Sequence, residues 1–237
     1  MAKRLAYSLM GCIDKSKIEF IQFHQSYSYE DFVEGYRPIE DGFKLQKGMF
    51  YSLCKKAEND PNNNYYLIID EINRGNLSRI FGELLMLIES DKREEELRLV
   101  YSQEYFSIPK NLYIIGLMNT ADRSLALIDY ALRRRFAFIR IEPAFDNINF
   151  QNELKSNFGD KAQAIIDVMK NINSYIAEDK SLGKGFMIGH SYFCNKKLKD
   201  LRNIIKYDIL PLFDEYWYDD EESLERCITT MNGVLND

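Results

Sequence analysis

Three short runs with almost no charge stand out in the first 143 residues: Tyr65–Ile69, Leu112–Met118 and Phe136–Ile141. Each is rich in branched and aromatic side chains and too short for a buried helix, so each predicts a buried strand. Unbroken apolar strands of this kind belong to parallel sheets covered on both faces. Ile18–Phe23 alternates and predicts one strand more. Helical spacing lies between these runs. Ala2, Leu5, Ala6 and Leu9 predict a helix over 2–10 that stops at Gly11. Ser28-x-x-Asp31 has capping-box spacing and predicts a short helical turn. Phe43–Phe50, with Gly42 and Gly48, predicts a small hairpin or loop, and Met49–Ala57 a helix. Asp60-Pro-Asn-Asn-Asn64 is a turn. Asn76 is placed to cap a helix with the apolar face Leu77, Ile80, Phe81, Leu84, Leu85 and Ile88. Leu97–Tyr101 reads as an edge strand or hairpin, and Ser124 as the cap of a helix running to Arg135.

Beyond Pro143 strand patterns give way to helical ones. Ile165, Val168, Met169, Ile172 and Ile176 form one stripe, and Leu201, Ile204, Ile205 and Ile209 another. The chain therefore divides into an α/β part, 1–143, and a helical part, 144–237.

Composition narrows the classes. A net charge of −6 disfavours a broad basic surface for nucleic acid, and the acids from Asp214 to Glu225 read as a solvated face. Cys12, Cys54, Cys194 and Cys227 are scattered, with only His24 and His190 to join them, so reduced and mostly buried thiols are expected rather than a zinc site. No apolar stretch is long enough to span a bilayer, and the N-terminus lacks a signal-peptide core. The expectation is a cytoplasmic protein with no membrane association.

The chemistry concentrates at strand ends. Tyr65–Ile69 leads straight into Asp70-Glu71. Two carboxylates at the tip of a buried strand can hold Mg²⁺ and polarise a water for attack on a nucleotide, although acids after a strand are also ordinary turn residues. Met118-Asn119-Thr120 puts an amide at the tip of the next apolar run. Parallel neighbours lie about 4.8 Å apart, so Asn119 could bond the same water or a γ-phosphate. Arg133-Arg134-Arg135 exceeds the charge a helix C-terminus needs, and one arginine is expected at a subunit interface. His190 reads as a structural histidine or, less often, a lid residue facing nucleotide. Gly183-x-Gly185 lacks the strand and the Lys-Ser/Thr of a phosphate loop. The aromatics from Phe20 to Tyr36 read as core and interface packing. No G-x-x-x-x-G-K-[ST] occurs anywhere in the 237 residues.

Four stretches carry a family resemblance: F-H-Q-S-Y-S-Y-E-D-F-V-E-G-Y-R-P (23–38), I-I-D-E-I-N-R-G-N (68–76), M-N-T-A-D-R-S-L-A-L-I-D-Y-A-L-R-R-R-F (118–136) and I-G-H-S-Y-F (188–193). Over nearly the whole chain the sequence resembles the motor subunit of McrBC-type, modification-dependent restriction systems, an AAA+ GTPase. The resemblance implies an α/β base with sheet order 5-1-4-3-2 and a helical lid. It implies a hexameric ring, GTP or ATP as substrate with Mg²⁺, and DNA translocation. It also implies an McrC-like nuclease and activator as partner, with DNA reached through the ring or a separate N-terminal domain. Carried over by position, Asp70 serves the metal, Glu71 the water and Asn119 the sensor, with Asp122 in the signature loop beside it. Arg133 or Arg134 faces a neighbouring subunit, and His190 lies in the lid near the nucleotide. In this family the phosphate loop and strand 1 precede the helix seen here as 2–10. The expectation is a chain truncated before that loop and weakly active alone. A degenerate, non-catalytic ring subunit and a MoxR- or dynein-like ATPase that remodels proteins are the alternatives.

Overall fold

The computed structural model describes residues 1–119, 121 and 133–236. Contacts divide the chain into two units, Met1–Phe138 and Ile139–Asp237.

The first unit opens with α1 (Ala2–Met10), closed by Gly11 in the left-handed region at φ 70°. After β1 (Ile18–Gln22) comes α2 (Tyr29–Phe32), where the Ser28 amide and hydroxyl both donate to Asp31 Oδ2, at 3.2 and 2.9 Å. β2 (Glu34–Ile39) and β3 (Gly42–Lys47) form an antiparallel ribbon. Then follow α3 (Met49–Glu58), β4 (Tyr65–Asp70) and α4 (Leu77–Phe81). A second small ribbon pairs β5 (Leu97–Arg98) with β6 (Tyr105–Phe106), and β7 (Leu112–Gly116) is the unit's last strand among the described residues.

β1, β4 and β7 form a parallel sheet in the order β1-β4-β7, with Gln22 beside Asp70 and Ile69 beside Gly116. β4 is central, and Leu67, Ile68 and Ile69 are each 0% exposed. Leu67 and Ile69 enter the large core with Phe32, Phe50 and Phe81, while Tyr66 and Ile68 face Ala2 and Ala6 of α1. Burial on both faces is why β4 reads as an unbroken apolar run. Each fully buried aliphatic side chain contributes about 1.5–3 kcal/mol.

Three expectations are corrected. Leu112–Met118 is not a fully buried strand: β7 stops at Gly116 and forms an edge of the described sheet, leaving Tyr113 47% exposed. Phe136–Ile141 is not a strand, and Phe138, Ile139 and Ile141 are exposed. A strand exists only by sharing a ladder. In the order 5-1-4-3-2 the neighbour of 136–141 is strand 1, and the described sheet contains no such strand. The helix after Asn76 changes at Gly82 into 3₁₀ turns over Gly82–Ile88. Its period tightens to about three residues, so Phe81, Leu84 and Leu87 line up in the core and Leu85 is only half-buried. The sequence pattern assigns no element to β2. The predicted helix over 124–135 falls mostly outside the described residues.

The second unit is helical among its described residues. It comprises α5 (Ile148–Phe158), α6 (Lys161–Glu178), α7 (Leu201–Asn203), a π-helical segment Ile204–Ile209, α8 (Leu210–Tyr216) and α9 (Glu221–Asn236). Apart from half-buried Val168, both predicted stripes are buried here, around Phe213 and Trp217. Pro211 explains the π segment. It has no N–H for the Tyr207 carbonyl, and its ring crowds that carbonyl, so the helix widens before it.

Candidate active site

The end of β4 is held from both sides. On one side the Phe23 amide donates to the Asp70 carbonyl at 2.9 Å. On the other, the Leu117 amide donates to the Ile69 carbonyl at 2.8 Å and the Ile72 amide to the Leu117 carbonyl at 2.9 Å. Between these anchors Glu71 adopts a left-handed backbone at φ 50°, ψ 44°. For a residue with a side chain this costs on the order of 1–3 kcal/mol and persists only where neighbours enforce it. Ile72 helps enforce it by packing flat over Gly116, where a Cβ would lie 2.7 Å from Ile72 Cδ1. The chain then makes a 3₁₀ turn, Ile72–Arg74, and Asn76 caps α4 by accepting the Arg79 amide at 3.0 Å.

This turn presents acceptors. Asp70 is partly exposed and spends Oδ1 on the Glu71 amide at 3.1 Å. Glu71 Oε2 is buried and ion-paired with Arg74 Nε at 3.1 Å, without a hydrogen-bond donor. Asn73 Oδ1, two residues on, is likewise buried without a hydrogen-bond donor. Two orphan buried acceptors on one turn call for a donor such as water. Sequence reasoning missed Asn73, because its signal is an unsatisfied atom rather than a charge or a spacing.

Asn119 lies three residues beyond Gly116. The parallel register therefore puts it at the same end of the sheet as Asp70 and Glu71. It is exposed, and its Oδ1 accepts the Ala121 amide at 3.1 Å, which leaves Nδ2 as the group it can offer outward. Asp122 lies outside the described residues. Arg133 and Arg134 are exposed, whereas Arg135 turns inward to Glu89 at 2.8 Å with 12% of its side chain exposed. His190 belongs to the second unit, where its Nδ1 accepts the Ala144 amide at 3.0 Å.

Among the described residues no cluster of three His, Cys, Asp or Glu side chains could cage a metal. Mg²⁺ on a nucleotide needs no such cage, because it keeps its waters and takes one or two carboxylates beside the phosphates. Asp70 is the residue that would serve it.

A second polar assembly, also missed in the sequence, lies at the root of the β2–β3 ribbon. Glu34 is 0% exposed. It takes Lys47 Nζ at 2.8 Å and the amides of Tyr101 and Ser102 at 3.0 and 2.9 Å. Burial opposes its ionisation, but the bonds from Lys47 and Ser102 outweigh that and hold its carboxyl below the usual glutamate range.

Comparison with known proteins gives the family. The model of the AAA domain (dynein-related subfamily) matches residues 1–136. The chain belongs to the AAA family. The model of the McrB alpha-helical lid domain matches residues 164–225, which makes this an AAA+ chain of the McrB type. The AAA chain is 49% identical over 248 residues to the Type IV methyl-directed restriction enzyme EcoKMcrB subunit of Escherichia coli K12, covering 98% of this chain and 54% of that one. It is 27% identical over 185 residues to the Type II restriction enzyme BsuMI component YdiS of Bacillus subtilis 168, covering 68% of this chain and 53% of that one. The chain thus spans about half the length of the curated relatives it matches.

Proposed function

We propose that this chain is the nucleotide-hydrolysing motor module of a modification-dependent restriction system. The observation that carries the reading is the turn after β4. There a metal-serving Asp70 precedes a strained Glu71 whose buried carboxylate oxygen, ion-paired with Arg74, shares with Asn73 Oδ1 the lack of a hydrogen-bond donor. In this reading the substrate is GTP in preference to ATP, and Mg²⁺ supplies charge neutralisation on the phosphates. Glu71 takes the proton of the attacking water, Asn73 and Asn119 orient that water, and Asp122 is the acid of the family's signature loop. His190 is the lid's nucleotide-binding residue. Arg133 or Arg134, both exposed, reaches the phosphates of a neighbouring subunit in a hexameric ring that drives DNA and engages an McrC-like nuclease.

These 237 residues contain no G-x-x-x-x-G-K-[ST] loop, so the polypeptide alone binds nucleotide weakly. Filter binding with labelled GTP and ATP tests this. The expected result is no retention at micromolar protein; tight retention of either nucleotide overturns it.

The exposed Arg133 and Arg134 favour a second reading, in which the chain is a non-catalytic ring subunit that supplies an arginine to an active neighbour. Mixing it with the E. coli relative tests that reading. Arginine-dependent stimulation of the relative's turnover supports it, and unchanged turnover removes it.

A further inference from the structure

The second unit begins with a segment fastened to its core at three points. The Ala144 amide donates to His190 Nδ1 at 3.0 Å, Gln151 Nε2 donates to the Phe145 carbonyl at 2.9 Å, and Asp146 pairs with Lys170 at 2.6 Å. His190 is itself held. Asn173, buried in α6, donates to the Ile188 carbonyl at 2.9 Å and accepts the Ile188 amide at 2.6 Å, fixing the loop that carries the histidine. The rings of Phe150 and Phe145 stand edge-on to the imidazole, with centroids 5.1 and 6.4 Å away.

A backbone amide can only donate. Nδ1 must therefore carry a lone pair, and in the neutral ring the proton sits on Nε2. We propose that His190 and the Ala144 amide form a proton-sensitive clasp at the start of the lid. The neutral Nε2–H imidazole closes it. When a proton from solvent adds to the Nδ1 lone pair, the ring becomes a cation with two N–H groups, an N–H then faces the Ala144 N–H, and the clasp opens. Closed, it also leaves Nε2 as a donor only, so any group His190 meets there is an acceptor, such as a phosphate oxygen. The titratable groups on the surrounding elements include Asp146 and Lys170, which are paired, Glu153, which accepts the Asn195 amide at 3.1 Å, Cys194 and Tyr192, with Lys155 further along α5 and Lys161, Asp167, Tyr175 and Glu178 on α6.

The chain contains two histidines, so long-range ¹H–¹⁵N spectra of the full polypeptide resolve both, and His24→Gln assigns them. At neutral pH the His190 Nδ1 resonance is expected in the unprotonated range and Nε2 in the protonated range. The reverse tautomer overturns the proposal without any change to residue 190. Amide exchange at Ala144 is the second readout. His190→Asn keeps an acceptor at the Nδ1 position and is expected to preserve protection of that amide. His190→Gln places its amide at the Nε2 position and is expected to lower protection about tenfold, the scale of one lost hydrogen bond. In wild type, acidification is expected to produce the same loss, corrected for intrinsic exchange. Equal protection in both variants, or protection unmoved while the His190 resonance titrates, contradicts the clasp.

Discussion

Glu71 carries a backbone conformation that asparagine tolerates better than glutamate. Glu71→Asn is therefore expected to raise stability by about 0.5–1 kcal/mol in urea titration while it removes the proposed base. The ion pair with Arg74 is partly solvated and its loss subtracts little. A lower urea midpoint would mean that the left-handed turn is not strained. Gly116 makes the complementary case. Gly116→Val drives side-chain atoms into Ile72 and is expected to cost about 1–3 kcal/mol by thermal denaturation, whereas an unchanged melting temperature would remove Ile72 as the brace of the turn. Asp70 and Glu71 were legible in the sequence because an apolar run that ends in two acids is a linear pattern. Asn73 was not, because its buried, unpartnered oxygen exists only once the turn has closed. The inward turn of Arg135 was equally invisible, since three adjacent arginines look alike until Glu89 is brought beside one of them.

Elements were legible where periodicity and burial coincide. β4 and α6 follow their patterns because each lies against a core along its whole length. β2 escaped because its apolar residues face solvent and its stability comes from the Glu34–Lys47 pair at the root, a contact across the ribbon. Glu34→Gln is expected to cost about 2–3 kcal/mol at neutral pH, since it leaves Lys47 and two amides facing a weaker acceptor. The carboxyl of Glu34 is held below its unfolded value. Its contribution is therefore complete above the ordinary glutamate range, near pH 4.3, and is lost as pH falls through the folded value. The stability gap between wild type and Glu34→Gln should shrink on acidification from about pH 6 toward about pH 3. A gap that widens over that range would contradict the stated direction of the shift.

At the scale of the whole chain, two separate cores account for the shift from strand patterns to helix patterns near Pro143. Trp217 is the single tryptophan and lies 2% exposed in the second core, so its fluorescence reports that unit alone. Phe213→Ala is expected to destabilise the fluorescence transition by about 3–5 kcal/mol. Circular dichroism should retain a later transition from the first unit, and a single coincident transition would show that the units unfold together. The parallel sheet order was legible only through the family resemblance, since apolar runs name strands but not their neighbours.

The central claim is that the turn after β4 activates water for attack on a nucleotide bound in cis. The direct measurement is GTP and ATP hydrolysis by a chimera in which a strand and a G-x-x-x-x-G-K-[ST] loop precede Met1, beside the same chimera carrying Glu71→Gln. The account predicts Mg²⁺-dependent turnover that falls by about a thousandfold or more in the variant. Turnover that is undiminished by Glu71→Gln, in a chimera that binds nucleotide, would contradict it.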